Sequence, residues 1–464
     1  MKTVISIFLK SRIIQKNKLP LIVSILIGIW VFGAMIKSRQ WEVPQYVIGQ
    51  DVIWYYSYLP AVFIYHDYTL SFADNYKGPH KFDLYIKKLP NNNSFIKTTM
   101  GMSFIYAPFF FVAHAYAHFT DYDTGGYSYP YIISILMTSF VFLMIGMYYL
   151  SKILMRYVNQ YITSWVLLSI VFGTNLYCYT THFSGYSHHF NFTLITMFLW
   201  FTIKWYEKQS YKYSIILGLL VGLIALIRPT NALVVLFFLL YDIKQFKALP
   251  QRILLYLTNF KFLLVLLICS LLVWIPQVVY WKAISGSLFY FSYVGEHFYF
   301  NRPHLFQGFF GFRKGWLLYS PVMVLSILGF FFMIKKHGEL LIPILMLFCV
   351  FSYVIFSWWC WWYGGSFGAR AMIDIYGVLA IPMAFLFKEI SEYKFVKYTF
   401  WVVSFILISI GIHHTNKYLA GSIHYDSMTK EAFFNDYFNT SPGPLYYDKL
   451  KTPNYEKVLA GFDE

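Results

Sequence analysis

Continuous apolar runs recur along most of this 464-residue chain, and they limit the folds that it can adopt. A helix needs about 20 apolar residues to cross about 30 Å of hydrocarbon. The runs lack the strict alternation of strands in a membrane β-barrel. With 58% hydrophobic and 12% charged residues, the sequence predicts an all-α polytopic membrane protein with about 11 transmembrane helices. We place these helices near residues 20–36, 130–150, 160–178, 189–203, 213–227, 230–241, 262–281, 316–334, 340–357, 371–387 and 397–412.

The distribution of basic residues predicts how these helices are oriented. Segments assigned to the cytoplasm hold 19 Lys and Arg residues against five acidic ones, whereas the opposite face holds 18 against 16. Short cytoplasmic loops collect Lys and Arg, so the N-terminus is predicted to be cytoplasmic. The first apolar run lacks a small-residue cleavage site, which favours a retained helix over a signal peptide. The net charge of +16 then reflects topology and anionic lipid, with no support for nucleic-acid binding.

The apolar run at residues 101–119 does not fit this alternation, because a full crossing there would place the later basic loops outside. We predict a juxtamembrane or re-entrant helix on the outer face, interrupted by Pro108. Residues 37–129 then form one long outward loop, and loops of that length are usually functional. The expected organisation is a transmembrane catalytic module over residues 1–412, followed by a short outward tail over residues 413–464.

Several charged residues map to the predicted outer face next to apolar runs. Arg228 lies between two such runs, where an unpaired charge is costly and commonly functional. Arg313 and Arg370 occupy similar positions. Arginine binds phosphate oxygens bidentately, so this group fits a phosphate or pyrophosphate leaving group. Lys97 precedes the helix predicted at residues 101–119, where an ammonium and free helix amides would both attract a phosphate.

Asp51 is the best-placed carboxylate on the same predicted face. A carboxylate at the membrane surface can accept a proton from a hydroxyl that lies within about 3 Å. Simpler interpretations remain open for each charge. Asp51 is also a suitable helix N-cap, Arg370 has Asp374 one turn later as an ion-pair partner, and Arg313 is placed to anchor a helix end at the interface.

The remaining polar residues predict no definite cofactor. A nucleotide loop would need a Lys-Ser/Thr ending that the glycines around residues 363–368 lack, and the four cysteines show no metal-ligand spacing. A metal site would need a carboxylate and a defined geometry beside the histidines, so a divalent metal is only an alternative to substrate hydrogen bonding or packing. The possible secondary site residues are Asp67, His182, His188 and His189.

Five motifs follow one another in a specific order. They are the outward Asp51, Lys97 before a helix that contains Ala-Pro-Phe-Phe, and the segments Leu-Ile-Arg-Pro-Thr-Asn, Arg-Lys-Gly-Trp-Leu-Leu-Tyr-Ser-Pro-Val and Trp-Tyr-Gly-Gly-Ser-Phe-Gly-Ala-Arg. Over roughly residues 20–390 this order resembles the integral-membrane GT-C glycosyltransferases. The nearest resemblance is to bacterial relatives of the protein O-mannosyltransferases and of the aminoarabinose transferase that acts on lipid A.

The resemblance implies transfer of a sugar, with inversion, from a polyprenyl-phosphate carrier to a glycan, lipid or protein acceptor. The reaction would take place on the extracytoplasmic face of a bacterial inner membrane. Asp51 would activate the acceptor. The residues expected to neutralise the departing phosphate are Lys97, Arg228, Arg313 and Arg370. Two other functions remain open: a flippase or transporter of lipid-linked sugars, and a glycan ligase or polymerase that uses a lipid-pyrophosphate donor.

Overall fold

The computed structural model describes residues 18–76, 87–89 and 93–462. The basic N-terminal segment used in the orientation argument lies outside these residues, apart from Lys18. Within the described residues the regular structure is helical, except for two short antiparallel strands, β1 (Lys87–Lys88) and β2 (Ser94–Phe95). The chain is therefore built from packed helices, as the apolar runs predict.

Twenty-one α-helices are present in the described chain. In order they are α1 (Leu19–Ser38), α2 (Asp51–Tyr56), α3 (Tyr58–Phe63), α4 (Phe72–Asn75), α5 (Gly101–His118), α6 (Tyr129–Leu154), α7 (Gln160–Phe172), α8 (Leu176–Thr181), α9 (Ser187–Glu207), α10 (Tyr211–Ile227), α11 (Val235–Leu240), α12 (Leu249–Thr258), α13 (Phe260–Ser285), α14 (Leu305–Phe310), α15 (Trp316–Tyr319), α16 (Val324–Lys336), α17 (Gly338–Phe356), α18 (Tyr376–Ser391), α19 (Lys394–Leu419), α20 (Lys430–Asn435) and α21 (Tyr455–Leu459). Short 3₁₀ segments join or extend several of them.

Six helical segments of the described chain are long and apolar enough to cross a membrane. They are Leu19–Glu42, Tyr129–Leu154, Phe260–Ser285, Gly338–Phe356, Arg370–Ser391 and Lys394–Leu419. This confirms the prediction of an α-helical membrane protein. Four further apolar helices have only 10–17 residues: Gln160–Phe172, Tyr211–Ile227, Pro229–Leu240 and Pro321–Ile334. The count of about 11 transmembrane helices is therefore not established by these lengths and stays a prediction.

Several of the predicted helices are divided, and proline accounts for two of the breaks. The 3₁₀ segments Pro229–Val234 and Pro321–Met323 each begin with a proline, whose ring fixes φ and removes the backbone N–H that would continue a preceding helix. The helix predicted at 371–387 likewise begins as a 3₁₀ turn, Arg370–Ile375. Pro108 behaves differently, because α5 continues through it without interruption. The predicted break at Pro108 is therefore wrong.

The most buried elements form a scaffold in the middle of the molecule. The segment Arg370–Ser391, which contains α18, is almost completely buried, and most residues of α9 are buried beside it. By contrast, α13 is mostly exposed along its length. It packs against α10, where a Cβ atom on Gly218 would clash with the carbonyl oxygen of Leu266. Small residues of this kind allow membrane helices to approach closely.

Candidate functional site

Asp51 and Arg370 form an ion pair between two distant parts of the chain. Arg370 Nη2 lies 2.9 Å from Asp51 Oδ2, and the carboxylate is 42% exposed while the guanidinium is only 11% exposed. Asp51 is the first residue of α2, and this helix begins without a side-chain cap. The carboxylate of Asp51 contacts Arg370 and caps no helix amide, so the interpretation of Asp51 as a helix cap has no support. The result is a carboxylate that is open to a ligand and held by a buried cation.

Arg370 has a hydrogen-bond donor that the ion pair with Asp51 does not use. Its Nε atom is buried and has no hydrogen-bond partner among the described residues. The centre of the Tyr186 ring lies 5.3 Å from the guanidinium carbon. A buried polar group without a partner is costly, so each such group calls for an explanation. An anionic ligand that binds beside Asp51 would supply the missing acceptor.

Arg228 belongs to a second buried charge cluster. Its Nε lies 3.6 Å from Oδ2 of Asp374, whose side chain is fully buried. Asp374 also accepts a hydrogen bond from His188 Nδ1 and one from Asn231 Nδ2, each at 2.8 Å. The alternative in which Asp374 pairs with Arg370 is therefore wrong. Although Asp374 follows Arg370 by one turn, it faces the break at the end of α10.

A tyrosine of α2 connects the two clusters. Burial raises the pKa of Tyr55, the negative charge of Asp51 raises it further, and the positive charges of Arg228 and Arg370 oppose the shift. A group that responds to all three charges must lie near each of them. Tyr55 therefore lies among Asp51, Arg228 and Arg370, as expected if the three charges share one site. The direct contact among these three that the described residues show is the ion pair between Asp51 and Arg370, and a shared functional site stays a prediction.

Lys97 borders the same site through an ion pair that the sequence analysis did not find. Its ammonium donates to Glu296 and lies 4.8 Å from the centre of the Tyr293 ring. The other oxygen of Glu296 accepts a hydrogen bond from the indole of Trp359 at 3.1 Å. Glu296 is the one acidic residue between positions 282 and 314. A single acidic residue in an otherwise basic segment was the sequence signal that pointed to Glu296 as an ion-pair partner.

Tyr293 places this ion pair relative to the rest of the site. Burial raises the pKa of Tyr293, with Tyr55 as the next cause, and the charges of Arg228, Asp51 and Glu296 also act on it. The segment after Lys97 packs against the end of α10, because a Cβ atom on Gly101 would lie 2.5 Å from the backbone nitrogen of Ile227. The backbone that follows Lys97 is therefore held against the end of α10, directly before Arg228.

Arg313 contacts the C-terminal tail instead of the three central charges. Its Nη1 donates to the backbone oxygen of Asp426 at 2.7 Å, and its guanidinium carbon lies 5.2 Å from the centre of the Trp362 ring. The adjacent Lys314 is buried and donates to the backbone oxygens of Ser366 and Tyr425. Burial, followed by the positive charge of Arg370, lowers the pKa of Lys314 well below its usual value. Lys314 thus joins the loop around Ser366 to the tail.

Asp67 lies in a local turn. Burial by itself would raise the pKa of Asp67, but hydrogen bonds from Ser71, Thr69 and the Phe72 amide outweigh it and lower the pKa. The amides of Thr69 and Phe72 lie 2.9 and 3.0 Å from its two carboxylate oxygens. Asp67 therefore stabilises its own turn and makes no contact with Asp51.

The three histidines separate into different environments. His188 belongs to the Asp374 cluster described above. The Nδ1 atom of His182 lies 2.7 Å from the Thr181 hydroxyl, and burial lowers the pKa of His182 to about 4. His189 is fully buried, and its ring packs against Phe190. The described residues include no group of three or more His, Cys, Asp or Glu side chains that could hold a metal.

Comparison with protein-family models gives no match for this chain, and comparison with curated proteins gives none either. The function of the protein is therefore inferred from its own residues. Their arrangement offers one accessible carboxylate, two guanidinium groups with unused donors and a lysine at the border. Such a set can accept a proton at one end and bind an anion at the other.

Proposed function

We propose that this protein is a membrane glycosyltransferase that moves a sugar from a polyprenyl-phosphate carrier to an acceptor on the extracytoplasmic face of a bacterial inner membrane. The single observation that supports this best is the ion pair between the exposed carboxylate of Asp51 and the guanidinium of Arg370. A half-open carboxylate paired with one largely buried guanidinium, with a second arginine in the neighbouring cluster, matches the opposite charge requirements at the two ends of a sugar-transfer reaction. The apolar helices would place the site in a membrane, where a polyprenyl carrier would also lie.

In the proposed reaction the acceptor hydroxyl gives its proton to the Asp51 carboxylate. The acceptor oxygen forms a bond to the anomeric carbon on the face opposite the phosphate, and the bond between this carbon and the phosphate oxygen breaks. The electron pair of the broken bond leaves with the phosphate, so the sugar is transferred with inversion. For an amine acceptor, the proton would come from nitrogen in the same way.

The arginines act at the leaving group in this proposal. Negative charge grows on the phosphate oxygen as the bond breaks, so a fixed cation stabilises the transition state more than the bound substrate. Arg228 and Arg370 have donors without acceptors in the described chain, which suits them to bind phosphate oxygens. Lys97 is a third cation at the border of the site, where it would exchange part of its contact with Glu296 for the phosphate. Arg313 would act from the side of the tail.

The Asp51→Asn variant tests the proposal. Asparagine has nearly the same shape but cannot act as the base, and loss of general-base catalysis costs about 10²–10⁴-fold. We expect the purified protein in lipid nanodiscs to release polyprenyl phosphate from a polyprenyl-phosphate sugar, with water as the hydroxyl acceptor of the sugar, and the variant to do so at least about a hundredfold more slowly. The matched control is Asp121→Asn, which changes an exposed carboxylate between α5 and α6 and should leave the rate unchanged.

Two results would contradict the proposal. One is an Asp51→Asn protein that folds and transfers sugar at the parent rate. The other is movement of the lipid-linked sugar between leaflets without cleavage of the sugar–phosphate bond, which would favour the flippase. Use of a lipid-pyrophosphate donor in preference to a monophosphate would instead identify a ligase or polymerase, because the same cations can bind either leaving group.

A further inference from the structure

We propose that Asp374 is a positioning residue that orients Arg228 for the carrier phosphate. This inference rests on the proposed function and adds a residue to the same site. Asp374 is fully buried, yet three polar side chains from two separate parts of the chain converge on it. A buried carboxylate is tolerated when it is paired and hydrogen bonded. Here His188 and Asn231 supply the hydrogen bonds, and Arg228 supplies the positive charge.

Both oxygens of Asp374 are in use. Oδ1 accepts from Nδ1 of His188 at 2.8 Å, which assigns the proton of this histidine to Nδ1 when the carboxylate is ionised. Oδ2 accepts from Nδ2 of Asn231 at 2.8 Å and faces Nε of Arg228 at 3.6 Å. His188 belongs to α9, whereas Arg228 and Asn231 belong to the break after α10. The carboxylate therefore ties the break to the buried scaffold.

The local backbone explains why Arg228 needs such a partner. At Arg228 the helix has ended and the chain is extended, with φ −145° and ψ 109°, and Pro229 follows. The amide of Asn231 donates to the carbonyl oxygen of Arg228 at 2.8 Å, which closes a turn and brings both side chains to Asp374. The three-residue separation of Arg228 and Asn231 therefore allows the single carboxylate of Asp374 to contact both side chains.

The contact leaves the ligand-binding end of Arg228 available. Asp374 lies at the Nε edge of the guanidinium, and one face of the group lies against the Tyr363 ring at 5.4 Å. In the described chain the guanidinium makes no hydrogen bond, and the side chain remains 18% exposed. A guanidinium held at one edge keeps its terminal N–H groups for a bidentate contact with a phosphate. Asp374 restricts the rotamers of Arg228 without using these donors.

One short element also relates the two arginines to each other. Arg370 and Asp374 lie on the same 3₁₀ segment, Arg370–Ile375. Arg370 is held by Asp51, and Asp374 of the same segment holds Arg228. The distance between the two guanidinium groups is therefore set through the five residues of backbone from Arg370 to Asp374. This arrangement suits two cations that must bind one phosphate together.

The test measures equilibrium binding of farnesyl phosphate, a short prenyl monophosphate, to the full-length protein in detergent by isothermal titration calorimetry. We expect Asp374→Asn to weaken binding about tenfold, which corresponds to about 1.4 kcal/mol. Arg228→Ala should weaken it by at least as much. Because Asp374 acts through Arg228, the double variant should bind no more weakly than Arg228→Ala alone. The matched control is Asp436→Asn, a buried acid of the tail that should leave the affinity unchanged.

The inference would be overturned if the Asp374→Asn variant bound farnesyl phosphate as tightly as the parent protein. It would also be overturned if the losses of binding free energy in the two single variants added up in the double variant. If Asp374→Asn fails to give a monodisperse protein, Asn231→Ala removes one of the three contacts and should weaken binding about threefold, so that parent affinity there would overturn the inference as well. A parent protein that binds no farnesyl phosphate overturns both proposals. If the variants show the expected affinities but the protein transfers sugar from no polyprenyl-phosphate donor, only the proposed function is overturned.

Discussion

At the scale of single residues, the site is decided by which charges find partners and which keep unused donors. Arg370 holds Asp51 and retains a buried Nε without a partner in the described chain. Lys97, by contrast, is already engaged with Glu296. Ion pairs at partly exposed positions are worth up to about 1 kcal/mol, so a phosphate can compete for such a lysine.

Glu296 should therefore restrain Lys97 in the ligand-free protein. Glu296→Gln keeps an acceptor for the Trp359 indole and removes the negative charge. We expect this variant to bind farnesyl phosphate about threefold more tightly, since the phosphate no longer competes with a carboxylate. Lys97→Met should bind it more weakly. Titration calorimetry measures both changes, and weaker binding by Glu296→Gln would instead indicate that Glu296 positions Lys97 for the ligand.

At the scale of elements, the site lies where helices end. Asp51 begins α2, Arg228 follows α10, and Arg370 begins the 3₁₀ segment before α18. Helix ends leave backbone groups and side chains without partners inside the helix, so they are natural places for polar ligands. The start of α5 completes the arrangement because Gly101 packs directly on the last residue of α10.

Gly101→Ala should disturb both stability and binding. The added Cβ atom would lie 2.5 Å from the backbone nitrogen of Ile227, and backbone cannot move aside as a flexible side chain can. Overpacking of this kind costs about 1–3 kcal/mol. We expect a lower melting temperature and weaker binding of farnesyl phosphate, because Arg228 is the next residue after Ile227.

The matched control for Gly101→Ala is Gly33→Ala. A Cβ atom on Gly33, within α1, would meet nothing within 4 Å. This substitution should leave the melting temperature and the affinity near those of the parent. If Gly101→Ala also behaves like the parent in thermal unfolding and in calorimetry, the contact between α5 and α10 does not constrain the site.

At the scale of the whole molecule, the C-terminal tail packs on the loops that surround the site. The Tyr299 hydroxyl donates to the backbone oxygen of Leu459 at 2.6 Å, and Arg302 donates to that of Gly461 at 3.0 Å. Arg313 and Lys314 add contacts with the segment around Asp426. The tail therefore covers one side of the molecule near Trp362.

Lys314 should be the main attachment of this tail. Its buried ammonium bridges the carbonyl groups of Ser366 and Tyr425, and removing one partner of a buried hydrogen bond costs about 1–3 kcal/mol. We expect Lys314→Met to lower the melting temperature and to speed trypsin cleavage within residues 430–457, as measured by mass spectrometry. Lys430→Met, at an exposed position of α20, is the control and should slow cleavage only at its own position.

Local properties of the chain were sufficient for much of this description. Apolar runs predicted a helical membrane protein, and charges beside those runs predicted that Asp51, Arg228 and Arg370 belong together. Hydropathy and residue type act over a few neighbouring positions, so these features can be read directly from the amino-acid order. The number of crossings is less accessible, because short broken helices and full spans have similar composition.

The pairing of the charges depends on contacts between distant segments, which no local pattern contains. Asp374 follows Arg370 by one helical turn but pairs with Arg228, and Arg370 pairs with Asp51 instead. Glu296 meets Lys97 from another loop, and Arg313 turns to the tail. Each choice depends on how the ends of α2 and α10 and the 3₁₀ segment Arg370–Ile375 face one another after the helices have packed. Burial then selects the ion pair that satisfies the most polar groups, irrespective of separation along the chain.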